Sequence, residues 1–361
     1  MEAPTTVKMQ RLQKILSSLL TKTNSDSQFQ EPANQKEMEN ELKELGELAH
    51  HLSQGIPFSN SDPIYTFLPS HIEDEVSGAY PAFRSGNRAY ARYSIHAITG
   101  LCIACHTMEG SGAALVETTS PVNLPLKPLE LAQFYVASRQ FELAEGIYSQ
   151  ILQGAGTGTE DLDEAIRQSL AIAVRVKDDP KLALDFVEKI LRSPQVPEFI
   201  KLNAIEWRKS VQSWMAAKRV ASENPDAMFR ESEKLIESAQ KQQKYFMDRS
   251  ADIQFLRASA LLHRLLKKPL PNHLMSEAYY LEGVCYDVLN SFYFDSLNNF
   301  YFESCIKNWP ASKIAEKCYR RLEQNIYFGY TGSSGTHIPE AMRIKLNDLK
   351  AMAFRKAQVF Q

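Results

Sequence analysis

Cys102-Ile103-Ala104-Cys105-His106 joins two thiols three positions apart to an adjoining imidazole. On a helix, each sulfur can add to one vinyl group of a porphyrin while His106 takes the iron as proximal ligand. That is the chemistry of covalent c-type haem attachment. With five cysteines and eight histidines in 361 residues, chance supplies this pattern about 0.0015 times per chain. A thioredoxin-like dithiol would open a helix after a strand, and no strand pattern precedes Cys102. A zinc site needs a second ligand pair at close spacing, which Cys285, Cys305 and Cys318 do not provide.

The segment that carries these residues reads as a helix. Ser85-Gly86-Asn87 interrupts the chain, and Asn87 is a good N-cap for a helix running to about Thr107. On it Tyr90, Tyr93, Ser94, Ala97, Ile98, Leu101, Cys102 and Cys105 fall on one arc, with Arg92 and His96 opposite. Ala97 and Gly100 are small enough for a flat macrocycle to approach. Two further helices are predicted upstream. Residues 7–22 place Met9, Leu12, Ile15, Leu16, Leu19 and Leu20 on one stripe, and residues 36–54 do so with Leu42, Leu45, Leu48, Ala49 and Leu52. Thr23 to Asn34, with Pro32, reads as a linker. Pro63, Pro69 and Pro81 argue against one long helix over 56–86, leaving a short one from Ser70 to Tyr80.

A helical bundle with its CxxCH near the end of the last helix resembles the class II c-type cytochromes, the cytochrome c-prime group. Phe83-Arg84-Ser85-Gly86-Asn87 stands where that family turns into its last helix, and Gly100 to His106 matches its haem segment. The resemblance covers roughly residues 5–115 and implies one haem c held by Cys102, Cys105 and His106. Two features depart from it: the prolines of the third helix, and Ala104 where a basic residue is common. In low-spin relatives a Met near the start of the first helix closes the sixth iron position, which makes Met9 the candidate ligand and cofactor contact here. An apolar residue there leaves the position open. His50 and His96 fall on polar faces and His51 at a stripe's flank, so these three read as solvated surface histidines.

From about residue 120 the spacing becomes that of a helical repeat. Leu131-Ala132 and Tyr135, then Ala144 and Tyr148, follow a large–small–aromatic pattern; Leu170-Ala171 and Val174, then Ala183 and Val187, repeat it. A stretched third unit has Tyr279, Gly283, Tyr286, Phe302 and Cys305, ended by Pro310, with a further helix from Ile314 to Tyr327. Residues 199–268 are helical by periodicity only. This part resembles tetratricopeptide-repeat proteins over about 120–330, and the resemblance implies a scaffold that docks a protein partner. Cys285 and Cys305 stand on helices that would pair within one repeat, leaving a disulfide between them open.

Other features carry less. The loop 154–159 is Gly-rich but follows a helix and lacks a Lys-Ser/Thr ending, so it is no phosphate loop. Gly332 to Pro339 reads as a connection, with Pro339 opening a helix. The aromatic run from Tyr279 to Phe302 reads as helix–helix core. No Ser/His/Asp set or carboxylate pair stands out.

A net charge of −2 argues against nucleic-acid binding, and no apolar run reaches the ~20 residues of a membrane helix. Haem attachment requires export, so a periplasmic protein is expected, beginning near its mature N-terminus because no leader pattern follows Met1. The sequence thus predicts an all-α protein: residues 1–115 a haem bundle, 120–361 a tetratricopeptide-like solenoid, acting in electron transfer or as a haem-linked adaptor and not as an enzyme. A scaffold braced by haem, or a gas-binding sensor, are the alternatives. A homo-oligomer is compatible with each.

Overall fold

A computed structural model describes residues 5–55, 62–108, 110, 124–154, 158–217, 224–245, 248–289 and 297–355. Among them the chain is all-α, apart from one two-stranded hairpin. No described helix is long and apolar enough to cross a membrane. Two compact units divide it: residues 1–59 with 64–216, and residues 60–63 with 217–361. The expected junction at 115–120 lies outside the described residues, and the first unit continues past it.

The first unit begins with α1 (Thr5–Thr23), a short α2 (Asp26–Gln30), α3 (Pro32–Gly55), α4 (Ile64–Arg84) and α5 (Arg88–His106). α1 packs on α3 and α5, and α4 packs on α3 and α5, closing a ring of four helices. Most of the two stripes read from sequence forms its core: Leu12, Ile15, Leu16, Leu19, Leu20, Leu42, Leu45, Ala49 and Leu52 are buried, and Met9 and Leu48 are half-buried.

Two local readings are corrected. Pro32 does not sit in a linker but opens α3, where its fixed φ suits the first helical position and its missing N–H costs nothing. α4 runs unbroken through Pro69 and Pro81. Its stripe of Ile64, Leu68, Ile72, Val76, Ala79 and Phe83 is buried, and this burial outweighs two lost backbone bonds.

The same unit continues with α6 (Pro128–Ala137), α7 (Phe141–Leu152), α8 (Thr159–Ala171), a π-helical turn (Ile172–Val176), α9 (Pro180–Arg192) and α10 (Glu198–Ala216). α6 packs on α5 and α7, and α9 on α10. Caps explain the starts: Asp179 accepts from Lys181 and Leu182 N–H at 2.8 and 3.2 Å, with Pro180 next. Sharp corners follow α6 and the π turn, where Arg139 and Asp178 take φ of 61° and 48°. Of the repeat pattern, Ala132, Tyr135, Ala144, Tyr148, Leu170, Val174, Ala183 and Val187 are buried, while Leu131 and Ala171 are half-buried.

The second unit holds α11 (Pro225–Gln242), α12 (Asp252–Leu266), α13 (Asn272–Leu289), α14 (Leu297–Asn308), α15 (Lys313–Gly329), a hairpin of β1 (Thr331–Gly332) and β2 (Gly335–Thr336), and α16 (Glu340–Ala353). From α11 to α15 each helix packs on the next. Gly283 permits the α13–α14 crossing, for a Cβ there would lie 2.5 Å from the Phe302 ring. Cys305 bonds Cys318, linking α14 to α15, so the Cys285–Cys305 alternative lapses. Pro339 caps α16 instead of occupying its first turn. Of the aromatic run, Tyr279, Tyr286, Tyr301 and Phe302 are core, and 292–294 lie outside the described residues.

Candidate functional site

α5 places the sequence-predicted residues. Asn87 caps it as expected, accepting from Tyr90 N–H at 3.4 Å, and Thr107 closes it through a bond to Ile103 O. Its first turns differ from expectation: Tyr90 and Tyr93 are exposed. Its last turns are buried nearly all round, with Ile95 and Ile103 enclosed as well as Ile98, Leu101 and Cys102. The cause is α6, which covers the side of α5 that a bundle standing alone would leave open.

Cys102, Cys105 and His106 open on one cavity of the first unit, and Met9 of α1 lines it too. The remaining walls are almost wholly apolar: α1 and α3 give Leu12, Leu16 and Leu52, and α4 gives Tyr65, Leu68, Pro69 and Ile72. Phe134, Ala137 and Ser138 of the α6 end complete it. It is a narrow slot of about 700 Å³ when the open space at its mouth is counted. All four predicted residues therefore meet in one place, although Met9 is 93 positions from Cys102.

The electrostatics of the two thiol-end groups follow from burial. Cys102 is pushed up to about 12, first by burial and then by Cys105, so its sulfur stays a thiol. His106 is lowered to about 4, first by burial and then by the Arg139 charge, so its ring is neutral at pH 7. Its Nδ1 lies 2.6 Å from the Ala137 carbonyl oxygen. A carbonyl can only accept, so Nδ1 carries the proton and Nε2 keeps a lone pair.

The other histidines stand elsewhere. His50 pairs with Glu73 at 2.7 Å on the surface and His51 is exposed. His96 is a correction: it is half-buried, its Nε2 3.5 Å from Thr23 Oγ1, and burial lowers its pKa. His337 is exposed on the hairpin, near Ser334 O. None of them lines the slot. Among the described residues no group of three His, Cys, Asp or Glu is arranged to hold a metal ion by itself.

A second constellation, in the second unit, was invisible in the sequence. His263 of α12 lies fully enclosed between two carboxylates, Asp62 Oδ2 at 2.7 Å from Nδ1 and Glu282 Oε1 at 2.8 Å from Nε2. Tyr301 donates to Asp62 at 2.7 Å, Ser259 donates to Glu282, and Tyr286 OH lies 2.9 Å from Nε2. Burial opposes the charge on His263, but Glu282, Tyr286 and Asp62 outweigh it, and its pKa stands well above 6.5. All of these side chains are buried, so the group acts as an internal ion network. Asp62 and His263 are 201 positions apart. Only a lone histidine among the apolar residues of α12 hinted at it.

No protein-family model, curated protein or solved structure matches this chain.

Proposed function

We propose that the first unit is a c-type haem protein, with Cys102 and Cys105 bound to the porphyrin as thioethers and His106 as proximal iron ligand. The carrying observation is the convergence of Cys102, Cys105, His106 and Met9 on one apolar slot. The raised Cys102 thiol argues against a redox dithiol, which needs a lowered pKa. The neutral ring of His106, with Nδ1 held by Ala137 O, is in the form a metal ligand must have. Met9 stands on the wall formed by α1 and is the group that would take the sixth position.

Bound there, haem supplies one-electron chemistry at a potential set by its ligands and by burial. The protein's own part is to exclude water with Leu12, Leu16, Leu68 and Ile72, and to fix the imidazole from behind. The helices after the bundle we read as a tetratricopeptide-like scaffold that docks a protein partner, their small residues Ala132, Ala144 and Ala183 being buried at helix crossings. A periplasmic location suits both halves, because the Cys305–Cys318 disulfide persists where conditions are oxidising.

The test is a visible absorption spectrum, oxidised and reduced, of protein exported from cells able to mature cytochromes, with a pyridine haemochrome assay. Covalent haem lost in the Cys102→Ala/Cys105→Ala variant is expected. A colourless preparation would end the proposal. The Met9→Ala spectrum then separates the outcomes: an unchanged low-spin form removes Met9 as ligand.

A further inference from the structure

Arg139 stands at the corner between α6 and α7, just past the Ala137 carbonyl that holds His106. Its φ of 61° lies in the left-handed region, which glycine enters freely and few other residues do. Backbone bonds set the shape of the corner: Gln140 N–H donates to Tyr135 O at 2.8 Å and Arg139 N–H to Val136 O at 3.0 Å. Nothing in such a turn calls for a long cationic side chain. Its presence has to be explained by what it reaches.

The side chain does not simply extend into water. Arg139 is half-buried, with its guanidinium 5.6 Å from the centre of the Phe141 ring, and Phe141 is itself buried. Burial works against this cation, and the groups that favour it are Cys105 first and then Tyr65. These stand on α5 and α4, and both line the slot. The same charge is felt at His106, where it disfavours a second positive charge on the ring. Among the described residues the slot walls carry no Asp, Glu, Lys or Arg of their own. A fixed cation beside such walls is screened far less than one on the open surface.

We infer that Arg139 poises the haem site electrostatically, favouring ferrous over ferric iron and so raising the reduction potential. The inference rests on the haem reading of the slot. Uptake of one electron from a reductant lowers the charge of the site by one; no bond forms or breaks, and no proton moves. A neighbouring cation repels the ferric form more strongly than the ferrous one, which fixes the sign of the effect. A residue that served only to pack on Phe141 would leave that equilibrium where it is.

The test is a redox titration of the full-length protein with dithionite and ferricyanide, followed by haem absorbance, on wild type, Arg139→Gln, Arg139→Gly and Arg139→Lys. Glycine takes the φ of this corner without strain, so Arg139→Gly removes the charge while keeping the turn. In the Gln and Gly variants the reduced-to-oxidised ratio at a fixed poise is expected to fall about tenfold, a drop of about 59 mV for one electron. Arg139→Lys should recover most of this, and Lys209→Gln on the exposed face of α10 should change nothing. The inference is overturned if the Gln and Gly variants keep the wild-type potential. It is equally overturned if Arg139→Lys matches Arg139→Gln, because charge would then not be the cause. A pyridine haemochrome assay on the same samples separates the two claims. Haem present with an unmoved potential sinks this inference alone, whereas haem absent from every sample ends the haem proposal and this inference with it.

Discussion

Nε2 of His263 lies 2.8 Å from Glu282 Oε1 while Nδ1 of the same ring lies 2.7 Å from Asp62, so one buried cation bridges two carboxylates of the second unit. Removing the cation leaves two acids enclosed without it, and breaking a buried pair this way costs about 3–5 kcal/mol. His263→Gln is therefore expected to lower the unfolding free energy by that amount, read as an earlier denaturant midpoint at an unchanged slope. The pH dependence has a definite sign. A histidine whose folded pKa is raised contributes fully below its unfolded value near 6.5, and the contribution fades as pH rises through the folded value. The gap between wild type and variant should be widest below pH 6.5 and narrow in alkali; a gap that widens with pH would refute the assignment.

His106 behaves in the opposite sense. Its folded pKa of about 4 lies below the ordinary 6.5, so folding resists protonation of the ring. Stability of the haem-free protein should fall as pH drops from 6.5 to about 4, then level off. With the ring enclosed, the loss is on the order of 3 kcal/mol. His106→Gln has no such titration. Urea unfolding of both proteins across that range checks it, and parallel curves would count against a buried neutral imidazole.

Gly283→Ala sets helix propensity against packing. Alanine gains up to about 1 kcal/mol in a helix interior, but its Cβ would come within 2.5 Å of Phe302 Cε1. Overpacking costs about 1–3 kcal/mol, so a net loss is expected. Thermal unfolding should show it, with the added Phe302→Leu change recovering part. A stabilised single variant would mean that α13 and α14 part easily.

The disulfide closes a short loop, Cys305 and Cys318 being 13 positions apart. Cross-links of this span stabilise by about 3 kcal/mol in the chain-entropy account. Cys305→Ala/Cys318→Ala should lose about that much against oxidised wild type and much less against protein held in reductant. Equal losses in both conditions would assign the effect to packing.

Local signals were legible and long-range ones were not. Asn87 as a cap and the stripes of α1 and α3 depend on neighbours within a turn or two, and the structure has them where the spacing put them. Met9 on the slot wall followed from the stripe together with a family resemblance. Prolines misled at α4, where tertiary burial of Ile64 to Phe83 overrides a local penalty. Phe134, Ala137 and Ser138 were missed as slot residues because their contact with α5 spans about thirty positions with no pattern to mark it. His263 was missed for the same reason, its partners Asp62 and Glu282 having no common spacing. The proposed haem attachment is a matter of thiol chemistry at Cys102 and Cys105, read from the motif and not from helix geometry.

Ala137, whose carbonyl steadies His106, is the final residue of α6 and lies outside the four-helix ring. A fragment severed before that helix would retain both sulfurs and surrender the prop behind the imidazole. A displacement of the α6 end would therefore reach the imidazole as a change in its tilt.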